Sequence, residues 1–209
     1  MASRLERLFT LACQYRAKKV FDSSIQHLQQ GIGIARQVND TAWLAKFWGE
    51  LGLVYLDLDQ PNRAVRACRK AIRLNPREAG LWNGLGHLYH VGKRFPDAII
   101  AYRRVLLLYP QDPSANTSLV ACYRRLGKAE LAEKQMQLAQ PILQNATEYE
   151  QAAFESACGN TGKALELLAI ALEKKQAGVD DVQRDPNFDF IRADNRFNQV
   201  LGVDGAEKP

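Results

Sequence analysis

Histidine and cysteine are scarce in this 209-residue chain, with three and four copies. The cysteines, Cys13, Cys68, Cys122 and Cys158, stand 55, 54 and 36 residues apart with no C-x-x-C pairing. That spacing argues against a zinc site or a disulfide framework and predicts reduced, structural thiols. Long apolar runs are missing too: nothing approaches the roughly 18 residues of a membrane span. The opening Met1-Ala2-Ser3-Arg4-Leu5-Glu6-Arg7 enters an amphipathic pattern without the apolar core of a signal peptide, so a cytoplasmic location is expected. No G-x-S-x-G, H-E-x-x-H or Walker loop occurs, and Gly31-Ile32-Gly33 lies in a helix-like stretch with no strand before it. A non-enzymatic protein without cofactor or metal is expected. The net charge of +5 is modest and leans toward acidic partners without demanding nucleic acid.

What is abundant is repetition. Trp48-x2-Leu51-Gly52-x2-Tyr55, followed by Ala64, Cys68 and Pro76, returns as Trp82-x2-Leu85-Gly86-x2-Tyr89, followed by Ala98, Tyr102 and Pro110. Every landmark moves by 34 residues. The step continues to Leu119, Tyr123 and Ala132, with Asn116 and Val120 in place of Trp and Gly. A weaker copy follows around Ala157, Gly162, Ala164 and Leu168. Upstream, Leu11-Ala12-x2-Tyr15 precedes its counterpart by 40 residues, the extra six expected around Gln37 to Thr41. Period and residue order resemble the tetratricopeptide repeat, a helix–turn–helix unit. The resemblance implies an all-α, right-handed superhelical solenoid of about five such units. It places the repeats at 5–41, 45–78, 79–112, 113–144 and 145–177, in one array over 1–178 rather than two domains.

The local chemistry agrees with this register. Trp48, Leu51, Tyr55 and Leu58 recur at helical steps and predict one buried face. Gly52, Gly86, Ala64 and Ala98 are small where helices must cross closely. Pro61 begins a helix, where its missing N–H costs nothing, and Asn75-Pro76 and Tyr109-Pro110 end helices. Beyond the array, Asp185 to Phe197 resembles a segment that follows such arrays in bacterial proteins. Its Phe188, Phe190 and Phe197, with Val200 and Leu201, predict a C-terminal cap over 179–203, and 204–209 a frayed tail. Asp180, Asp181, Asp185, Asp189 and Asp194 fit no calcium loop, which leaves capping and solvation as their role.

By the same resemblance the first helix of each repeat lines a groove that docks another polypeptide. Phasing each helix against its packed stripe gives a candidate groove set of Phe9, Arg16, Lys46, Leu53, Leu56, Asn83, His87, His90, Thr117, Arg124 and Tyr149. Cys13, Gly49, Gly80, Ser114 and Ala121 lie beside them. Such a surface suits a peptide with hydrophobic anchors and acidic residues. Relatives that hold the acidic tails of heat-shock chaperones use a Lys/Asn/Arg clamp. The corresponding slots here hold Gly49, Leu53, Gly84, Ser114 and Ser118, or Phe9, Cys13, Glu50, Gly80 and Gly84, which argues against that partner. His87 and His90 share a face, but Ala121 and Arg124 stand where a third zinc ligand would be needed. Arg63, Arg66, Arg69, Lys70, Arg73 and Arg77 form a basic stripe on a second helix, continued by Arg103 and Arg104. With no aromatic residue interleaved in the stripe, a solvated face outweighs an RNA or anionic-surface site. Homo-oligomerisation through an uncovered end of the array is the remaining alternative.

Overall fold

The computed structural model describes residues 2–203, with side chains from residue 4 onward; the expected tail 204–209 lies outside the described residues. Ten helices run in sequence: α1 (Ala2–Ala17), α2 (Phe21–Gln37), α3 (Thr41–Asp57), α4 (Pro61–Leu74), α5 (Ala79–Val91), α6 (Phe95–Leu108), α7 (Pro113–Arg125), α8 (Ala129–Leu143), α9 (Glu148–Cys158) and α10 (Thr161–Glu173). A short α11 (Val179–Arg184), a 3-10 turn (Pro186–Phe190) and α12 (Asn195–Leu201) follow. Among the described residues there is no strand.

The helix ends are written locally. Pro61 and Pro113 open α4 and α7. Asp40 Oδ1 accepts the Trp43 amide at 3.0 Å and Asp112 Oδ1 the Ala115 amide at 2.7 Å, each satisfying an otherwise orphaned donor. Thr147 and Glu150 close a reciprocal capping box on α9. The turns after α3, α5 and α7 carry residues in the left-handed region: Asp59 (φ 53°), Lys93 (φ 56°) and Gly127 (φ 67°). These three turns keep the 34-residue step of the landmarks and repeat one hydrogen-bond pattern. The amides of Gln60, Arg94 and Lys128 reach back to the carbonyls of Tyr55, Tyr89 and Tyr123 at 2.7–2.9 Å. The longer first repeat has a visible origin. Helices α2 and α3 each run 17 residues where α4 and α5 run 14 and 13, so the additions extend the facing ends around Val38 to Asp40.

The chain gathers into two compact units, Met1–Arg94 and Phe95–Pro209, the division falling between α5 and α6. In the first unit α1 packs on α2, α2 on α3, α3 on α4 and α4 on α5, while α1 also meets α3 and α3 meets α5. Its core is Leu5, Leu8, Ala12, Leu28, Ile32, Phe47, Leu51, Val54, Ala64, Ala67, Cys68 and Ala71. Small residues set the helix spacing. A Cβ on Gly52 would stand 2.6 Å from Cys68 Sγ, and one on Gly31 would stand 2.2 Å from Phe47 Cζ.

In the second unit α7 packs against α6, α8 and α9, and α9 against α10. The C-terminal segment buries Phe188, Ile191, Phe197 and Leu201 against Ala152, Ala153, Leu165 and Leu168 of α9 and α10. Phe190 turns the other way, toward Val120, Ala121 and Phe154. The aspartates here cap and pair. Asp181 accepts from the Gly178 amide, Asp185 from the Asn187 amide and Asp194 from the Arg196 amide, while Asp189 binds Arg192 at 2.6 Å.

Candidate functional site

In the first unit, helices α1, α3 and α5 line a cavity of about 390 Å³. Phe9 comes from α1; Lys46, Gly49 and Leu53 from α3; Gly80, Leu81 and Gly84 from α5. Sequence phasing assigned five of these (Phe9, Lys46, Gly49, Leu53 and Gly80) to a groove, and tertiary packing brings them together. At Gly84 the lining is open, since a Cβ there would meet nothing within 4 Å, whereas at Gly49 the Leu81 side chain fills the space, 2.8 Å from where a Cβ would stand. The wall at the α1 end is rigid aromatic packing. The Phe9 ring stands edge-on to Trp43 and Phe47, with centroids 5.9 and 5.7 Å away. Lys46 is exposed and sets its ammonium 4.7 Å from the centre of the Trp43 ring, leaving a positive charge at the rim.

Other predicted groove residues have different employment. Arg16 is not a spare cation. Its Nε donates to Glu50 Oε1 at 2.6 Å and its Nη1 to Asp57 Oδ2 at 3.3 Å, tying α1 to α3. Glu50 is 7% exposed, so the guanidinium compensates a buried carboxylate rather than waiting for a ligand. Cys13 lies close by, and burial, then the Glu50 charge, push its thiol up to about 11. Leu56, Asn83 and His87 are half-buried, whereas His90 is buried at 3% and so is not presented as a groove contact. His90 follows the helical phase of His87 but falls in the last turn of α5, just before the left-handed Lys93.

In the second unit the chain's own C-terminal segment lies over the predicted groove positions. The Tyr149 hydroxyl donates to Asp185 Oδ2 at 2.9 Å, and its ring stands edge-on to Phe188. Arg124 donates from Nη1 to the Ala157 carbonyl at 2.5 Å and lies 4.8 Å from the Phe190 ring centre. Asn187 Nδ2 donates to Ser118 Oγ, and Ser156 Oγ donates to the Asn187 carbonyl. Thr117 is 2% exposed. Thr117 is therefore buried, and Arg124 and Tyr149 are half-buried and engaged by the chain's own C-terminal segment, correcting their place as open groove positions. The segment that meets Arg124 and Tyr149 is too far along the chain for helical phasing to register.

The basic stripe on α4 differs from its sequence reading in another way. Arg63, Arg66, Arg69, Lys70 and Arg73 are exposed around a depression of about 550 Å³ floored by Trp48, Tyr55 and Ala67. Aromatic residues absent from the stripe itself thus arrive from α3, and Tyr89 arrives from α5. Among the described residues no helix is long and apolar enough to cross a membrane, and all four cysteines are free.

Comparison with known proteins follows this architecture. Residues 50–116 match the sequence profile of the tetratricopeptide repeat family. The chain is similar to the chloroplastic tetratricopeptide repeat domain-containing protein PYG7 of Arabidopsis thaliana: 30% identical over 108 residues, 52% of this chain and 35% of that protein. It is also similar to the peroxisomal targeting signal receptor of Saccharomyces cerevisiae, 31% identical over 77 residues, 37% of this chain and 13% of the receptor. The chain thus spans about a third or less of these relatives. Among solved structures, a thermophilic tetratricopeptide repeat protein from Thermus thermophilus superposes with a TM-score of 0.64 at 18% identity, covering 86% of this chain and 96% of that one. Pseudomonas aeruginosa pilF superposes with a TM-score of 0.63 at 16% identity, covering 97% and 86%. These likenesses show an all-α superhelical repeat fold. The 34-residue landmarks, the recurring left-handed turns and the profile matched over residues 50–116 together identify tetratricopeptide repeats in this chain.

Proposed function

We propose that the protein is a non-enzymatic interaction module, an adaptor or assembly factor that docks a partner polypeptide in the groove of α1, α3 and α5. The cavity lined by Phe9, Lys46, Gly49, Leu53, Leu81 and Gly84 carries this reading. Glu78 and the Arg16-paired Glu50 also line it; its apolar walls take a hydrophobic side chain, and the Lys46 ammonium at the rim takes a neighbouring carboxylate. Gly80 and Gly84 in the lining let a partner backbone approach α5 closely. The fold class supports protein binding, and one relative is by its name a receptor for a targeting signal, in keeping with a recognition role.

Gly84 gives a direct test. Gly84 lines the cavity and a Cβ there meets nothing within 4 Å, so a leucine starts from open space, and it removes a helix-interior glycine worth about 1 kcal/mol. Peptides selected from a displayed library on the wild-type protein should carry an aliphatic or aromatic anchor beside Asp or Glu. Gly84→Leu should weaken them at least about tenfold, a loss of about 1.4 kcal/mol, while thermal stability holds or rises. Lys46→Glu should weaken the same peptides. Selected peptides that bind Gly84→Leu as well as wild type would remove the cavity as the docking site.

A further inference from the structure

We infer that the outer face of α4 is a second, independent recognition surface, built for an acidic amphipathic segment of a partner protein. Helix α4, Pro61–Leu74, carries Arg63, Arg66, Arg69, Lys70 and Arg73 and no carboxylate. Among the described residues none of the five pairs with an acidic side chain. Three of them, Arg63, Arg69 and Lys70, are nevertheless held, and by neutral groups, while Arg66 reaches only the Asn62 carbonyl at 3.3 Å. Arg63 lies 4.1 Å from the Tyr55 ring centre and donates to the Tyr55 hydroxyl at 2.8 Å and to Gln60 Oε1 at 2.6 Å. Arg69 donates from Nε and Nη2 to the Tyr89 hydroxyl at 3.2 and 2.8 Å. Lys70 lies 4.1 Å from the Trp48 ring centre. Rings and phenol oxygens fix the direction of a cation without cancelling its charge. The outcome is an oriented, uncompensated cationic row, with like charges set one helical turn apart.

The choice of ligand follows from what surrounds the row. Nucleobases find little to stack on. Tyr55 and Tyr89 are buried and already covered or hydrogen-bonded by arginines, and Lys70 covers Trp48. The large exposed apolar side chains of this unit, Val20, Val38 and Val91, lie at the ends of α2 and α5 and none is on α4, so α4 itself offers no large exposed apolar group to insert into a bilayer. The depression instead has a narrow apolar floor, the part of half-buried Trp48 that Lys70 leaves uncovered, with Tyr55 and Ala67 buried beneath it, inside a rim of guanidinium groups. A chain of bare phosphates leaves that floor unused. An acidic helix with carboxylates at successive turns and apolar residues between them matches both the floor and the spacing of the rim.

Fluorescence anisotropy with two labelled probes tests this on the full chain. One is an acidic amphipathic peptide of about four helical turns, Glu at i, i+3 and i+4 with Leu between; the other is an oligouridylate of similar length. The peptide should bind wild type near physiological salt, and Arg66→Glu/Arg73→Glu should weaken it at least tenfold. Lys70→Met, which keeps the alkyl stem on Trp48, should cause a smaller loss. Arg4→Glu/Arg7→Glu imposes the same change in net charge elsewhere and should leave binding unchanged. Gly84→Leu should also leave it unchanged, which separates this surface from the groove. Absent peptide binding, tighter binding of the oligouridylate, or equal losses from the two charge-reversed pairs would overturn the inference.

Discussion

Gly31 and Gly33 lie two residues apart in α2, and the structure assigns alanine substitutions there opposite effects. Replacing a helix-interior glycine by alanine stabilises a helix by about 1 kcal/mol, whichever glycine is chosen. Gly33 is exposed, and a Cβ there meets nothing within 4 Å, so Gly33→Ala should deliver that gain. A Cβ on Gly31 would stand 2.2, 2.3 and 2.7 Å from Phe47 Cζ, Cε1 and Cε2, more than 1 Å inside ordinary contact. The Phe47 ring is fully buried, with Phe9 and Trp43 at centroid distances of 5.7 and 5.6 Å, so it has no free direction in which to yield. Overpacking of this kind costs about 1–3 kcal/mol, and the depth of the overlap puts Gly31→Ala near the upper end. The net expectation is a loss of about 2 kcal/mol for Gly31→Ala against a gain of about 1 kcal/mol for Gly33→Ala. Because the helix gain cancels, the difference between the variants reads the overlap alone. Urea unfolding followed by circular dichroism should move the two midpoints in opposite directions, with Gly31→Ala down by about 1 M. Phe47→Leu in the Gly31→Ala background should recover part of the loss as a coupling energy. Equal shifts for the two variants would refute the argument, because they would show that α2 and α3 are not held apart by this ring.

Three further outcomes follow from the same geometry. Asp59→Gly removes a side chain from a left-handed turn and should stabilise the protein by up to about 1 kcal/mol, read as a rise in the unfolding midpoint. Arg16→Ala strands the buried Glu50 carboxylate and should cost about 2 kcal/mol, discounted because Arg16 is itself about a third exposed; Arg16→Ala/Glu50→Gln should recover much of it. Burial lifts the thiols of Cys13 and Cys68 to about 11 and of Cys122 and Cys158 to about 12, so the folded state holds these protons longer than the unfolded chain. Their contribution is fully present below about pH 8.5 and falls as pH climbs toward 11–12. Unfolding midpoints should drop across that window, and thiol alkylation at neutral pH should be slow in the folded protein.

Helix ends, the 34-residue period and the buried Leu51 and Tyr55 of the expected stripe were legible in the sequence, whereas Trp48 and Leu58 of that stripe are only half-buried. Proline at a first helical position, an aspartate cap and a left-handed turn act locally, and the repeat writes them again at fixed spacing. Phasing even placed Phe9, Lys46, Gly49, Leu53 and Gly80 around one cavity, since neighbouring repeats present equivalent helix faces. What tertiary structure alone decided is which positive charges remain available. Arg16 meets Glu50 and Asp57 at separations of 34 and 41 residues, and the Tyr149 hydroxyl meets Asp185 at 36. The arginines of α4 meet tyrosines from α3 and α5 in place of carboxylates. A helical pattern says which way a side chain faces; only the packing of separate helices says whether something with the opposite charge is already there.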